Sequence, residues 1–134
     1  MSLSFLDAYH AGELNGFYAL APNDTASALS LPRANNRSEL VKALRRYAET
    51  LGAPKAVLKN LERLEHPESR VVVTGQQAGL LLGPTYTLSK AITAINLAKE
   101  LSTEEKPVVP IFWVASQDHD TAEVNHAYLL DMSE

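Results

Sequence analysis

The chain has 134 residues, the size of one globular domain. Its 12 Lys and Arg residues against 16 Asp and Glu residues give a net charge of −4, which argues against a protein that binds nucleic acid through bulk phosphate attraction. Cysteine is absent, which excludes a disulfide framework, a thiolate nucleophile and a cysteine-based zinc site.

The N-terminal sequence Met-Ser-Leu-Ser-Phe-Leu-Asp has neither a basic start nor an apolar core, so it does not read as a secretory signal. The uncharged run 71–89 is almost long enough to cross a membrane, but three Gly, one Pro and two Gln interrupt it. We therefore predict a cytoplasmic protein with no membrane partner.

Charge is unevenly distributed along the chain. Residues 33–70 hold nine Lys and Arg against five acidic residues, and residues 107–134 hold five acidic residues and no Lys or Arg. One interpretation is two solvated faces of opposite sign. The other makes the acidic end part of a site for cations, amines or a metal.

The first third of the chain predicts helices. A short helix is expected over 2–11, stopped by Gly12, and residues 13–32 lack periodicity and predict a loop or extended arm. Residues 36–51 carry an apolar stripe of helical period, with Asn36 and Glu39 spaced as a capping box and Gly52 as the stop. A second helix is predicted over 54–65, with apolar positions Val57, Leu61 and Leu64.

The second half predicts strands around a helix. Residues 71–73 are three valines and predict a strand buried on both faces, followed by a turn over 74–79. A helix is expected to begin at Pro84 and continue to Leu101 along one apolar stripe.

A second buried strand is predicted over 108–114, with Trp113 in the core and Pro110 indicating a bulge or a late start. A third short strand is possible over 127–131. The order strand, turn, helix, strand predicts an α/β protein built on a parallel βαβ unit with a right-handed crossover, preceded by short helices.

Ligands of open parallel sheets bind beyond the carboxyl ends of the strands, so the polar segments 75–83 and 116–126 are expected to face one crevice. The first segment is rich in glycine and glutamine but lacks the P-loop pattern. It is either a structural turn or a binding loop whose candidate residues are Gly75, Gln76, Gln77, Gly79 and Gly83.

Lys90 is the only basic residue between Val71 and Glu100. Its ammonium either belongs to a solvated helix face or reaches back to a phosphate or carboxylate near the turn.

The second segment is dense in chemically active side chains, with candidates Asp118, His119, Asp120, Asn125 and His126. It is either a site or a decorated loop. Carboxylates there could hold an ammonium or Mg²⁺, and histidines could transfer protons. Consecutive Asp118, His119 and Asp120 diverge, so no zinc site is predicted, and metal-dependent hydrolysis ranks last among the hypotheses.

Three stretches together resemble one family: VVVTGQQAGLLLGPTYTLSK at 71–90, PVVPIFWVASQDHD at 107–120 and EVNH at 123–126. They are similar to the bacillithiol biosynthesis cysteine-adding enzymes. The resemblance implies a Rossmann-like core, of which this chain would be the N-terminal part, and a ligase that adds cysteine to glucosaminyl malate. The change of sequence character at Arg70 divides the chain into a helical segment, 1–69, and the beginning of the core, 70–134.

Members of that family are several times longer and carry a coiled coil used for dimerisation. The resemblance therefore implies a homodimeric full-length enzyme and a fragment that is inactive alone. The lack of cysteine suits a thiol that arrives as substrate.

Within this hypothesis the catalytic residues are Asp118, His119, Asp120 and His126. The substrate-binding residues are Gly75, Gln76, Gln77, Gly79, Gly83, Lys90 and Asn125. The cofactor stays open, with a nucleotide such as ATP or ADP as the candidate. The alternative hypothesis is a non-catalytic, Rossmann-like module that binds a nucleotide or anion.

Overall fold

The computed structural model describes residues 4–21, 24–32, 36–117 and 120–127. In chain order these ranges form α1 (Phe5–His10), α2 (Thr25–Ser30), α3 (Arg37–Thr50), α4 (Lys55–Glu65), β1 (Arg70–Gln77), α5 (Tyr86–Leu101), β2 (Val108–Ala115) and α6 (Thr121–Val124). They fall into two compact units, one within residues 1–35 and the other within residues 36–134. The division at residue 70 stays a prediction.

The first unit contains the helix expected near the N-terminus and one that was not expected. α1 ends before Gly12, whose φ is +79°, as predicted; residues 2 and 3 lie outside the described ranges. The loop predicted over 13–32 is wrong where α2 forms. Asp24 begins α2 by accepting a hydrogen bond from the Ser27 backbone N–H at 3.0 Å. Hydrogen bonds from the Ser27 side chain and backbone lower the pKa of the Asp24 carboxyl.

The helices of the second unit confirm the periodicity argument. α3 and α4 occupy the predicted ranges, and Gly52 follows α3 with a φ of +63°. The capping box is wrong, because the Asn36 side chain makes no capping hydrogen bond and Glu39 instead accepts from Lys42 Nζ at 2.9 Å. The core that holds these helices to the sheet consists of Val41, Ala48, Leu61, Leu64 and Val109.

β1 and β2 pair in parallel, which confirms the βαβ unit. The register runs without interruption from Arg70 opposite Val108 to Gln77 opposite Ala115. The predicted turn is therefore wrong over residues 74–77, which are the second half of β1. α5 begins at Tyr86 rather than at Pro84. Residues 128–131 of the possible third strand lie outside the described ranges.

Pro110 sits inside β2 without the predicted bulge. The N–H and C=O of Val108 face away from β1, because they bond Ser102 Oγ at 3.0 Å and Arg63 Nη2 at 3.2 Å. Backbone groups two residues apart point to the same edge of a strand. The missing N–H of Pro110 therefore falls on the edge that β1 does not use, where a proline is tolerated.

Burial is less complete than predicted. Val109 is 3 % exposed, but Val73 is 58 % exposed, so β1 is not buried on both faces. Trp113 is 61 % exposed and does not lie in the core. α4 packs against β2, and α5 packs against both strands. The described residues leave the side chains of Val73 and Trp113 much less covered than that of Val109.

The helix stripe of α5 shows the same pattern. Its buried residues are Ala94 and Ala98, whereas Leu88, Ile92 and Ile95 are exposed.

In the part of the chain that the structure describes, no helix combines the length and the apolar character needed to cross a bilayer.

Candidate functional site

The two polar segments predicted to face one crevice line one cleft of about 550 Å³. Gln76, Gln77 and Gly79 line it from the end of β1. Pro84, just before α5, and Tyr86, its first residue, also line the cleft, and the chain after β2 adds Asp120, Ala122, Val124 and His126. The expectation of a shared crevice is confirmed.

The register of the sheet explains why these segments meet. Gln77, the last residue of β1, pairs with Ala115, the last residue of β2, so both strands end at the same level. Because the strands are parallel, both following segments leave the same edge of the sheet.

Lys90 connects α5 to the end of β1. Its Nζ donates to the Gly75 carbonyl oxygen at 3.3 Å and to Gln76 Oε1 at 2.9 Å. The ammonium also lies 4.8 Å from the centroid of the Tyr86 ring. The interpretation of Lys90 as part of a solvated face is therefore wrong. Its ammonium does reach back, to the end of β1, where protein oxygens accept its hydrogen bonds.

Gln76 also forms hydrogen bonds with two further side chains. Its Nε2 donates to Gln77 Oε1 at 3.1 Å and to the Tyr86 hydroxyl oxygen at 3.0 Å. Four side chains, those of Lys90, Gln76, Gln77 and Tyr86, thus form one hydrogen-bonded group beside the cleft.

Gly75 in β1, and Gly79 and Gly83 after it, each have a backbone reason to be glycine. A Cβ at Gly75 would lie 2.5 Å from the Trp113 carbonyl oxygen, and one at Gly79 would lie 2.8 Å from the Cα of Gly83. Gly83 itself has φ +69° and ψ −148°, a conformation that only glycine adopts readily. Close backbone packing accounts for these residues, and their part in ligand binding stays a prediction.

The leucines between Gly79 and Gly83 are also unusual. Leu81 and Leu82 have φ values of +52° and +76°, and both side chains are exposed. Non-glycine residues in this conformation are uncommon and occur often beside functional sites.

Of the second polar segment, the structure places three predicted residues. Asp120 and His126 line the cleft, and Asn125 Oδ1 lies 3.1 Å from His126 Nδ1. Asp118 and His119 lie outside the described residues. Within the ranges that are described, no three His, Asp or Glu side chains come together in a way that could hold a metal ion.

Sequence reasoning missed Tyr86. It lies four residues before Lys90, which places both side chains on one face of α5. That spacing, directly after a glycine-rich segment, was the available signal.

Comparison with known proteins gives the context of this cleft. Residues 4–134 match the family described as bacillithiol biosynthesis BshC, N-terminal Rossmann-like domain. The chain belongs to this family. The resemblance found in the sequence and the Rossmann-like class of the fold are thereby confirmed.

Similar members of the BshC family carry the name "Putative cysteine ligase BshC". The protein of Geobacillus sp. (strain WCH70) is 55% identical over 102 residues, which are 74% of this chain and 18% of that protein. The protein of Geobacillus kaustophilus (strain HTA426) is 48% identical over 105 residues, 76% of this chain and 19% of that protein. The Staphylococcus carnosus (strain TM300) protein is 39% identical over 122 residues, 88% of this chain and 22% of that protein. The chain thus spans about a fifth of the length of these BshC relatives.

Proposed function

We propose that the protein carrying this domain is a cysteine ligase of bacillithiol biosynthesis. It would form an amide bond between the carboxyl group of cysteine and the amine of glucosaminyl malate, with loss of the elements of water. The observation that carries the proposal is the family match over residues 4–134, supported by the ligase name of the relatives.

The cleft at the ends of β1 and β2 is the proposed place of substrate binding. Gln76 and Gln77 offer amide groups, and Asp120 and His126 stand on the other segment that lines the cleft. A carboxylate there would hold the cysteine ammonium, and a histidine would move a proton. We propose Asp118 and His119 as further residues of this site, because they directly precede Asp120 in the sequence.

A carboxyl group must be activated before it joins an amine. ATP or ADP stays the candidate cofactor. A homodimeric enzyme in the cytoplasm also stays a prediction, as does the inactivity of this chain alone.

The test measures product formation by the full-length protein that carries this sequence. Purified protein is incubated with cysteine and glucosaminyl malate, with and without ATP, and bacillithiol is quantified by mass spectrometry. We expect product from the unchanged protein. We expect at least about a hundredfold less from His126→Ala, because proton transfer by a positioned side chain contributes about 10²- to 10⁴-fold.

A matched control is His10→Ala, since His10 is also exposed but lies in the other compact unit. It should leave the rate unchanged. Asp118→Ala, His119→Ala and Asp120→Ala examine the remaining residues in the same assay. Equal product from all four site variants would show that the cleft is not the active site.

Absence of product would contradict the ligase itself. A shift of the melting temperature by ATP or ADP in that case would instead support the nucleotide-binding module.

A further inference from the structure

Lys90 determines which atoms donate and which accept in the hydrogen-bonded group beside the cleft. An ammonium only donates hydrogen bonds, so the Gln76 atom 2.9 Å from Lys90 Nζ must be the amide oxygen. The Gln76 nitrogen therefore faces the Tyr86 hydroxyl at 3.0 Å and the Gln77 oxygen at 3.1 Å. An amide nitrogen also only donates, so both of these oxygens must accept.

These donor and acceptor assignments leave the Tyr86 hydroxyl as a hydrogen-bond donor toward the cleft. Its oxygen accepts from Gln76, which leaves the phenolic O–H to donate elsewhere. Within the described ranges, Gln76 is the one hydrogen-bond partner of this hydroxyl. The Tyr86 side chain is 50 % exposed and lines the cleft together with Asp120 and His126.

The charge near Tyr86 favours an anionic partner. Lys90 lies over the ring, and no described carboxylate is within ion-pair distance of its Nζ. The cation polarises the ring and gives this wall of the cleft a positive charge. A hydroxyl donor beside such a charge suits a carboxylate or phosphate oxygen.

We propose that Tyr86 binds an anionic oxygen of the substrate through its hydroxyl, and that Lys90 is a positioning residue that acts through Gln76. This inference rests on the proposed function, in that the anion would be a carboxylate of cysteine or of the malyl group. A phosphate is the third source of the same chemistry. Two of the three N–H donors of Lys90 bind Gly75 and Gln76 and hold its ammonium at the end of β1, so in this proposal Lys90 acts through Gln76.

The decisive variant is Tyr86→Phe in the full-length protein, because it removes only the hydroxyl. A hydrogen bond to a charged group contributes about 1.5–3 kcal/mol. We therefore expect the KM of one substrate to rise about tenfold or more while kcat stays unchanged. The substrate whose KM rises identifies the source of the anion. Tyr47→Phe, which removes another exposed hydroxyl in the same compact unit, should leave both constants unchanged.

Lys90 requires a readout that a purely structural role would not move. Lys90→Met should raise the same KM, and Lys90→Arg should restore it to within about threefold, because a guanidinium can still donate to Gln76 Oε1. The double variant Tyr86→Phe with Lys90→Met should be no worse than the poorer single variant, since both act through one hydroxyl. Lys99→Met, an exposed lysine of α5, is the control.

Direct binding separates this inference from the ligase proposal. Calorimetry on the full-length protein uses L-cysteine, L-malate and inorganic phosphate as probes. We expect one probe to bind and its Kd to rise about tenfold or more in Tyr86→Phe. An equal Kd in the two proteins, or no binding of any probe, would overturn the role of Tyr86 even if bacillithiol is formed. Loss of probe binding in Tyr86→Phe would uphold that role even if no product is found.

Discussion

Three residues without side chains shape the end of β1, and each does so for a different reason. Gly75 allows the backbone of β2 to approach, Gly79 allows contact with Gly83, and Gly83 takes up a left-handed conformation. Gly79 lines the cleft, so close backbone packing shapes its wall there. The spacing of the three glycines in the sequence indicated a close backbone approach or an unusual backbone conformation. It did not indicate which of the two applies at each glycine.

At the residue scale we predict that Gly75→Ala lowers the free energy of unfolding by about 2 kcal/mol, because overpacking costs about 1–3 kcal/mol. The new Cβ would lie 2.5 Å from the Trp113 carbonyl oxygen, a backbone atom that cannot rotate away. Urea denaturation measures the change. Gly16→Ala is the control, since a Cβ at Gly16 meets no atom within 4 Å. Equal stability of the two variants would contradict the close approach of the strands.

At the scale of elements, the helices with long apolar stripes were predictable and the short one was not. α3 and α4 repeat apolar residues with the helical period, and this local signal gave their positions. α2 has five small or polar residues and one large apolar residue, Leu29, which gives no periodic stripe, so its start at Asp24 was the available signal. β1 continues to Gln77 because β2 pairs with it along eight positions, a non-local contact that the Thr-Gly-Gln-Gln sequence does not reveal.

The candidate site was predictable to a similar extent. The order of the elements placed both polar segments at one edge of the sheet, and the cleft confirmed it. The hydrogen bonds of Lys90 could not be predicted, because the direction of a long side chain depends on what lies across from it. The spacing of Tyr86 from Lys90 was available in the sequence, but the contact of its hydroxyl with Gln76 could not be predicted for the same reason.

The joint between α4, α5 and β2 is formed by the side chain of Arg63. Its Nη2 donates to Ser102 Oγ at 2.6 Å and to the Val108 carbonyl oxygen at 3.2 Å, and its Nη1 donates to Asn60 Oδ1 at 3.2 Å. Ser102 Oγ also accepts from the Val108 N–H. Arg63 thereby anchors the edge of β2 that does not pair with β1.

We predict that Arg63→Ala lowers the free energy of unfolding by about 2–3 kcal/mol, because it removes hydrogen bonds from a charged group. Arg63→Lys should recover only part of this loss, since one ammonium cannot reproduce the planar fork of a guanidinium. Arg46→Ala, at an exposed position of α3, should change stability by less than about 0.5 kcal/mol. Urea denaturation compares the three variants. An Arg63→Ala midpoint equal to that of Arg46→Ala would show that the Arg63 hydrogen bonds do not stabilise the protein.

At the scale of the whole molecule, the second unit exposes several large apolar side chains. A groove of about 560 Å³ lies between α3 and α4 on one side and α5 and β2 on the other. Tyr47, Leu51 and Ile95 line it and are exposed. Val73 and Trp113 add exposed apolar side chains on the sheet. Apolar patches of this kind mark interaction surfaces or lead to self-association.

Trp113 reports on this surface because it is the single tryptophan of the chain. At 61 % exposure its indole ring meets water, so we predict long-wavelength emission and efficient quenching by acrylamide for this chain in dilute solution. The matched control moves the indole by one residue, in the double variant Phe112→Trp with Trp113→Phe. Position 112 is half-buried and lines the apolar groove, so emission there should shift to shorter wavelength and quenching should weaken.

Dilution then distinguishes an exposed ring from one that is covered by a second copy. If the sheet surface drives self-association, Trp113 emission should shift to shorter wavelength as the protein concentration rises, and light scattering should show larger particles over the same range. The position-112 indole already lies in the groove of its own chain and should shift less. Short-wavelength, poorly quenched Trp113 emission at the lowest concentration would contradict the exposed sheet, because the described residues of a single chain leave the ring 61 % exposed.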